Sequence, residues 1–408
     1  MTFRLYFILI ALMLICTCST KTDWQGVYET REGVEIIRNP EIGIWNDSKE
    51  WVLTPEIALG EGQPRNEQTK ISSILDVDGD SAGNIYLCDY KANNVKIFDQ
   101  DGCLQTVIAH GKNRTETLDG PILVAVNGKG YLAVYESNRD QISLFARSGK
   151  FIQSFNTIWH DLQSIEMDDS SQLYLSALNL KYNNDDTQND ETECCIRKYN
   201  FNGKIISEFS KPFLIRDQHN LVNPHSTVLL RLLQDGNLVC ALHFPYILRI
   251  YEVNGKLKRI ISKEFANENM VSTVRISQLP FECYMLMTQY NILDTFELPD
   301  GKLVVHFIDK DSSHVEKYKS VLKARLTNAG DNSIFHATKH HYDLFDEKGY
   351  FLQAFTLDSG TIGIIKYIDS KGRLYIQTKA ADSGEHRLIR YRYSFEPKRA
   401  AALATKPI

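Results

Sequence analysis

This 408-residue chain lacks most of the marks by which common chemistries show themselves. It has no HExxH, the spacing that lets one helix face offer two histidines to zinc beside a glutamate base. It has no basic stripe. Its 46 Lys and Arg are interspersed among 51 Asp and Glu, for a net charge of −5. That balance excludes nucleic acid as the expected partner. It has eight cysteines but no disulfide framework. Setting aside Cys16 and Cys18 as leader residues leaves Cys88, Cys103, Cys194, Cys195, Cys240 and Cys283, irregularly spaced and without metal-ligand spacing. Cys88 and Cys240 fall in strand-like runs and read as small core residues. No cofactor and no metal are expected.

The first 17 residues hold Arg4 and then an eleven-residue apolar run, Leu5 to Ile15. That is too short to span a bilayer, which takes about 20 residues. It suits the apolar core of a signal peptide, residues 1–17. The run ends at Ile15-Cys16-Thr17-Cys18-Ser19, which resembles a bacterial lipobox. Cys18 is then the residue to carry lipid, and an ordinary secretory signal is the alternative. Residues 18–50 read as a lipid-anchored tether and lead-in. The expected location is the cell envelope, on the outer membrane, with the membrane engaged through the lipid.

What the chain does have is a repeat. Asp76 to Ile108 reads as four short strands joined by tight turns. Ile74–Leu75, Ile85–Cys88, Val95–Phe98 and Leu104–Ile108 are the apolar runs, and Gly83-Asn84 and Asp101-Gly102 supply the turns. Two turn marks recur along the chain. The first precedes an apolar pair, at Gly83, Gly130, Gln172, Gly236, Gly301 and Gly372. The second is an x-Gly-x turn, at Gly102, Gly149, Gly203, Gly255 and Gly349. Their offset is 19 residues in three units (83 to 102, 130 to 149, 236 to 255). It is 31 in the third (172 to 203) and 48 in the fifth (301 to 349). One repeated unit with two insertions explains this pattern.

The sixth unit has no second mark, and an orphan strand-like segment, Trp51 to Leu59, precedes the first. Ring closure follows, because an open ring leaves edge strands unpaired. The expected fold is all-β: a six-bladed β-propeller over 51–396, closed by an N-terminal strand, with a C-terminal tail at 397–408. The blades fall at roughly 71–108, 121–155, 162–209, 225–263, 289–355 and 361–396. With Asp78, Gly83-Asn-Ile-Tyr-Leu-Cys-Asp89, Asn93, Val95-Lys-Ile-Phe-Asp99 and Gly102, the blades resemble NHL- and TolB-like repeats. The chain as a whole resembles the six-bladed propeller lipoproteins of the Bacteroides type. That resemblance implies the fold and the envelope; it implies no particular activity.

The insertions fall between second and third strands. One, Asn179 to Glu193, is acidic and amide-rich. The other, Asp309 to about Thr338, holds a capping box at Ser313 and apolar spacing that predicts a short helix. The connector Phe265 to Gln289 is also long. Strand alternation puts all three on one face of the disc, where binding is expected. Asp89 and Glu136, at matching ends of second strands, are candidates for a paired-acid role or for capping their loops. His243 and His306 end second strands in neighbouring blades. Tyr246 and Phe307 offer apolar surface beside them, or pack between blades. These six residues form the expected ligand site. Asp76-Val-Asp78-Gly-Asp80 looks like a calcium loop but puts Gly79 fourth and Leu87 twelfth, so it reads as a polar hairpin turn. The expected role is binding of a ligand or an envelope protein on the loop-rich face. A lyase or hydrolase acting on peptide or carbohydrate at the channel mouth is the alternative.

Overall fold

The repeat folds as its turns dictate. The computed structural model describes residues 24–61, 68–108, 118–157, 159, 162–177, 194–211, 215–216, 222–223, 228–265, 271–276, 283–288, 290–309, 339–357, 362–379 and 386–398. Every regular element among them is a strand. Six blades of four antiparallel strands form a six-bladed β-propeller, at 74–108, 121–156, 162–209, 228–263, 290–357 and, for the sixth, 364–397 with 49–58; two further strands extend the sheet of the fourth blade to six. The two long insertions, with the expected helix after Ser313, lie outside the described residues. The connector between blades four and five contains a ladder of Val271–Ile276 with Cys283–Thr288.

Second strands lie between neighbouring blades as well as between neighbouring strands. Accordingly Ile85–Asp89, Leu132–Glu136, Leu173–Ala177 and Leu238–Leu242 are buried at every residue. An outer strand such as Phe151–Asn156 alternates instead, because only one of its faces is covered. Apolar side chains form six clusters, one at each junction between adjacent blades. The first-mark glycines hold φ between 78° and 88°, where a Cβ would clash. In blade three this position belongs to Ser171 (φ 61°), one residue before the Gln172 that the repeat pattern picked out.

The N-terminal segment does more than close the ring. β1 (Val27–Arg31) and β2 (Val34–Asn39) make a hairpin turning at Glu32-Gly33, both with positive φ. β2 then pairs in parallel with the outer strand of blade four, Leu257–Lys263. Ile44 and Trp45 N–H groups donate to the Phe351 and Leu352 carbonyls of blade five at 3.0 Å. β3 (Lys49–Ala58) finally pairs antiparallel with His386–Pro397 as the outer strand of blade six, as expected for Trp51 to Leu59. Pro55 sits at a bulge of this strand. The expectation of a tether over 18–50 is thus corrected from Val27 onward. Its polar residues alternate with Val27, Val34 and Ile36 around a Glu-Gly turn, and the ladder absorbs them. Buried Asn39 fixes the junction: its side chain donates to the Ser262 and Gly349 carbonyls and accepts from the N–H of Phe351.

Candidate functional site

Each blade turns its first strand to the axis. These inner strands are Ile74–Gly79, Pro121–Val126, Leu162–Met167, Val228–Leu232, Tyr290–Glu297 and Ile364–Ile368. Only one edge of each is paired in its own sheet, so the other edge offers bare N–H and C=O groups to the channel. Side chains of the preceding blade cover them. Val124 and Val126 N–H donate to Asp76 Oδ2 (2.9 Å) and Asp78 Oδ2 (2.7 Å). Leu230 N–H donates to Ser164 Oγ (3.1 Å), and the N–H of Leu232 to Glu166. Arg231 Nε donates to the Thr295 carbonyl (3.0 Å) and Lys366 Nζ to that of Leu75 (3.1 Å). The same polar side chains therefore pin neighbouring blades and wall the channel.

Five of the inner strands carry a register shift near their start, at Leu75, Ile122, Gln163, Leu293 and Lys366. A bulge re-aims the side chain it carries. Four of those five residues line a cavity of about 170 Å³ in the channel, all but Ile122. Its charged walls are Asp76 and Asp78 from blade one, Glu166 from blade three, Arg231 from blade four, Asp294 from blade five and Lys366 from blade six.

The charges are unevenly paired. Arg231 bridges Glu166 (3.2 Å) and Asp294 (3.4 Å). Among the described residues, no cation lies within ion-pair distance of Asp76 or Asp78. Enclosure disfavours their charged forms. Burial, partly offset by the Val124 N–H, pushes Asp76 up to about 6. Burial, partly offset by Arg231, pushes Asp78 up to about 7 and Glu166 up to about 8. Burial also raises Asp294 and lowers Lys366.

The six residues singled out in the sequence sit in second strands or, for His243 and Tyr246, in the loop that follows one, and none lines this cavity. Asp89 is fully buried; it accepts from Ser72 and Ser73 N–H (both 2.9 Å) and pairs with Lys96 at 2.7 Å. Glu136 accepts from the Asp119 N–H (2.8 Å) and the Ser143 hydroxyl and pairs with Arg139. Both carboxylates thus hold their own loops. His243 Nδ1 contacts the Ile292 carbonyl at 2.8 Å. His306 and Phe307 are adjacent in one strand, so their side chains leave on opposite faces of the blade. His306 stacks on Tyr342 and its Nε2 meets His340 Nδ1 at 2.8 Å. Burial holds His306 well below its ordinary range. Phe307 instead meets Tyr246, with ring centroids 5.5 Å apart. Tyr246 and Phe307 are 5% and 4% exposed, so their surface is spent on the junction of blades four and five. There the Tyr246 hydroxyl donates to Asp343 (2.8 Å), which also pairs with Lys263.

The reading of Asp76 to Asp80 as one hairpin turn is corrected. Only Asp80 serves the turn, accepting from the N–H groups of Ala82 and Asn84 at 3.0 Å. Asp76 and Asp78 belong to the inner strand. Overlaying the repeats would have found this: Asp78, Glu166 and Arg231 are equivalent, opposite Tyr86, Tyr174 and Val239. The same turn spells Gly79-Asp80-Ser81-Ala82-Gly83, the letters of a nucleophile elbow. It joins two strands rather than a strand and a helix, and the Ser81 hydroxyl donates to the Gly128 carbonyl at 2.6 Å.

No known family profile matches the sequence, and no curated protein aligns with it significantly. Among solved structures, the chain is similar to a member of the DUF4221 family from Bacteroides vulgatus. The TM-score is 0.57 at 11% identity, covering 86% of this chain and 100% of that one. It is also similar to a protein of Bacteroides fragilis described as exported, with TM-score 0.54 at 10% identity, covering 88% and 99%. At such identities the likeness is one of fold.

Proposed function

We propose that this chain is an exported, lipid-anchored propeller that binds a small polar ligand in its central cavity, entered from the face that carries the insertions. The observation that carries the reading is the cavity itself. Charged and polar side chains from five inner strands converge on one space in the channel, and their geometry is set by ladders and bulges rather than by loops. Pockets with a few convergent polar groups and perturbed acids are the usual place for ligands. The leader-like apolar run Leu5 to Ile15 and the resemblance of Ile15 to Ser19 to a lipobox support the envelope location, and a structural neighbour is described as exported.

The test is a thermal-shift screen of small metabolites on the wild type and on Ser164→Trp, which fills the cavity from blade three. Compounds that stabilise the wild type and fail on the filled variant support the reading. If every stabilising compound acts equally on both proteins, the cavity is not the site.

A further inference from the structure

We infer that the central cavity selects a small organic cation, an amine whose ammonium lies against Asp76 and Asp78. This deepens the proposed function and rests on it. Four carboxylates face the cavity against two cations. Arg231 is committed to Glu166 and Asp294 and to the Thr295 carbonyl. Lys366 donates to the Leu75 carbonyl. No charged residue of blade two lines the space. The wall near blade one is left negative, and an enclosed charge without a partner is unfavourable. Protons or a bound cation must restore the balance.

Two features favour an organic cation over a metal ion. Among the described residues, no three acidic, histidine or cysteine side chains come close enough to hold a metal ion. Every oxygen of Asp76 and Asp78 already accepts a backbone N–H, from Val77, Val124, Gly79 and Val126, at 2.7–3.0 Å. Such oxygens suit the longer contacts of an ammonium.

An ammonium displaces the protons on Asp76 and Asp78 and sends them to the buffer, so affinity rises with pH. The groups facing the pair are Glu166, Arg231, Asp294 and Lys366, with Tyr367 near Asp78 and Cys88 near Asp76, both held protonated by burial, and His306 and His340 behind blade five's inner strand. The two histidines are held neutral by burial and do not reverse this trend.

The test is isothermal titration calorimetry of the full-length protein with 1,4-diaminobutane. Size-matched 1,4-butanediol and succinate are the neutral and anionic controls, and each is run at pH 6 and pH 8. The expected result is diamine affinity at least tenfold above either control, rising several-fold from pH 6 to pH 8 with proton release. Asp76→Asn with Asp78→Asn should lose tenfold or more. Lys366→Met, which removes a competing cation, should bind the diamine more tightly, and it stands in if the double variant fails to fold. Binding of the diol or succinate in place of the diamine overturns the cation inference while leaving the cavity as a ligand site. Failure of the diamine to bind, or binding indifferent to these substitutions, overturns it as well.

Discussion

Replacing Asp89 with alanine should destabilise the propeller severely without any ligand being involved. Asp89 and Lys96 have fully buried side chains and meet at 2.7 Å. Removing one partner of such a pair leaves a buried charge uncompensated, which costs about 3–5 kcal/mol. The Ser72 and Ser73 N–H groups lose their acceptor too, so the upper part of that range is expected. Unfolding roughly 350 residues carries an entropy of about 0.7 kcal/mol/K, so 4 kcal/mol lowers the melting temperature by about 6 °C. Asp89→Asn combined with Lys96→Met removes both charges and keeps an acceptor for the loop; it should recover more than half of the loss. Urea titrations of the single variants and the pair give the coupling directly. A shift below about 1 kcal/mol for Asp89→Ala, or a double variant no better than the single, would refute the structural role and return Asp89 to the candidate ligand residues.

Further outcomes follow from the same structure. Truncation to residue 24 should leave the melting temperature nearly unchanged, truncation to 47 should lower it by loss of the hairpin, and truncation to 61 should abolish cooperative unfolding; equal melting of the last two would remove the closure argument. Trp51→Ala, in a buried cage of Tyr342, Phe355, Tyr393 and Phe395, should cost about 3–5 kcal/mol by chemical denaturation, and a loss under about 1 kcal/mol would contradict that packing. Asp76, Asp78 and Glu166, raised to about 6, 7 and 8, keep protons in the folded state that the unfolded chain releases near pH 4. Their stabilising contribution is whole below that pH and is lost as pH rises to about 8. Urea midpoints should therefore fall from pH 5 to pH 8, and less so in Asp78→Asn with Glu166→Gln; a midpoint that rises over this range contradicts the assignment. Cys18→Ala should release the protein from membranes on fractionation, because stable anchoring needs the acyl chains, and a variant that stays bound would remove the lipobox reading.

Blade architecture was legible because its turns use residues with few other reasons to recur at fixed offsets. The closing strand was legible by subtraction, since six first marks met five second marks. The hairpin of Val27 to Asn39 was not, because Glu29, Thr30, Arg31 and Glu35 make it look like a solvated tether. Its partner strand, Leu257–Lys263, is more than 200 residues away and leaves no local trace. The cavity was hidden for a related reason. Histidines and strand-end acids attract attention as chemical groups, yet Asp89, Glu136, His306, Tyr246 and Phe307 are all drawn into junctions that the fold must satisfy. The cavity acids were visible only as i and i+2 positions of an inner strand. Which edge of that strand faces the axis is a property of the closed ring, not of the stretch of sequence.

The belt formed by the hairpin, Ile44–Trp45 and β3 also sets an order of events. Glu56 and Arg390 are salt-bridged across 334 positions of chain, so β3 emerges early and finds its partner last. At synthesis rates of about 5–20 residues per second, it stays unpaired for roughly 20–60 s. High contact order of this kind slows folding and exposes a strand edge to the wrong neighbour. Pro55 withholds one N–H from that edge, and Glu50 and Glu56 put charge on it, which discourages pairing between nascent chains. The bulge at Pro55 is then the native trace of a residue retained for the interval before the ring exists: a guard for the youngest form of the molecule.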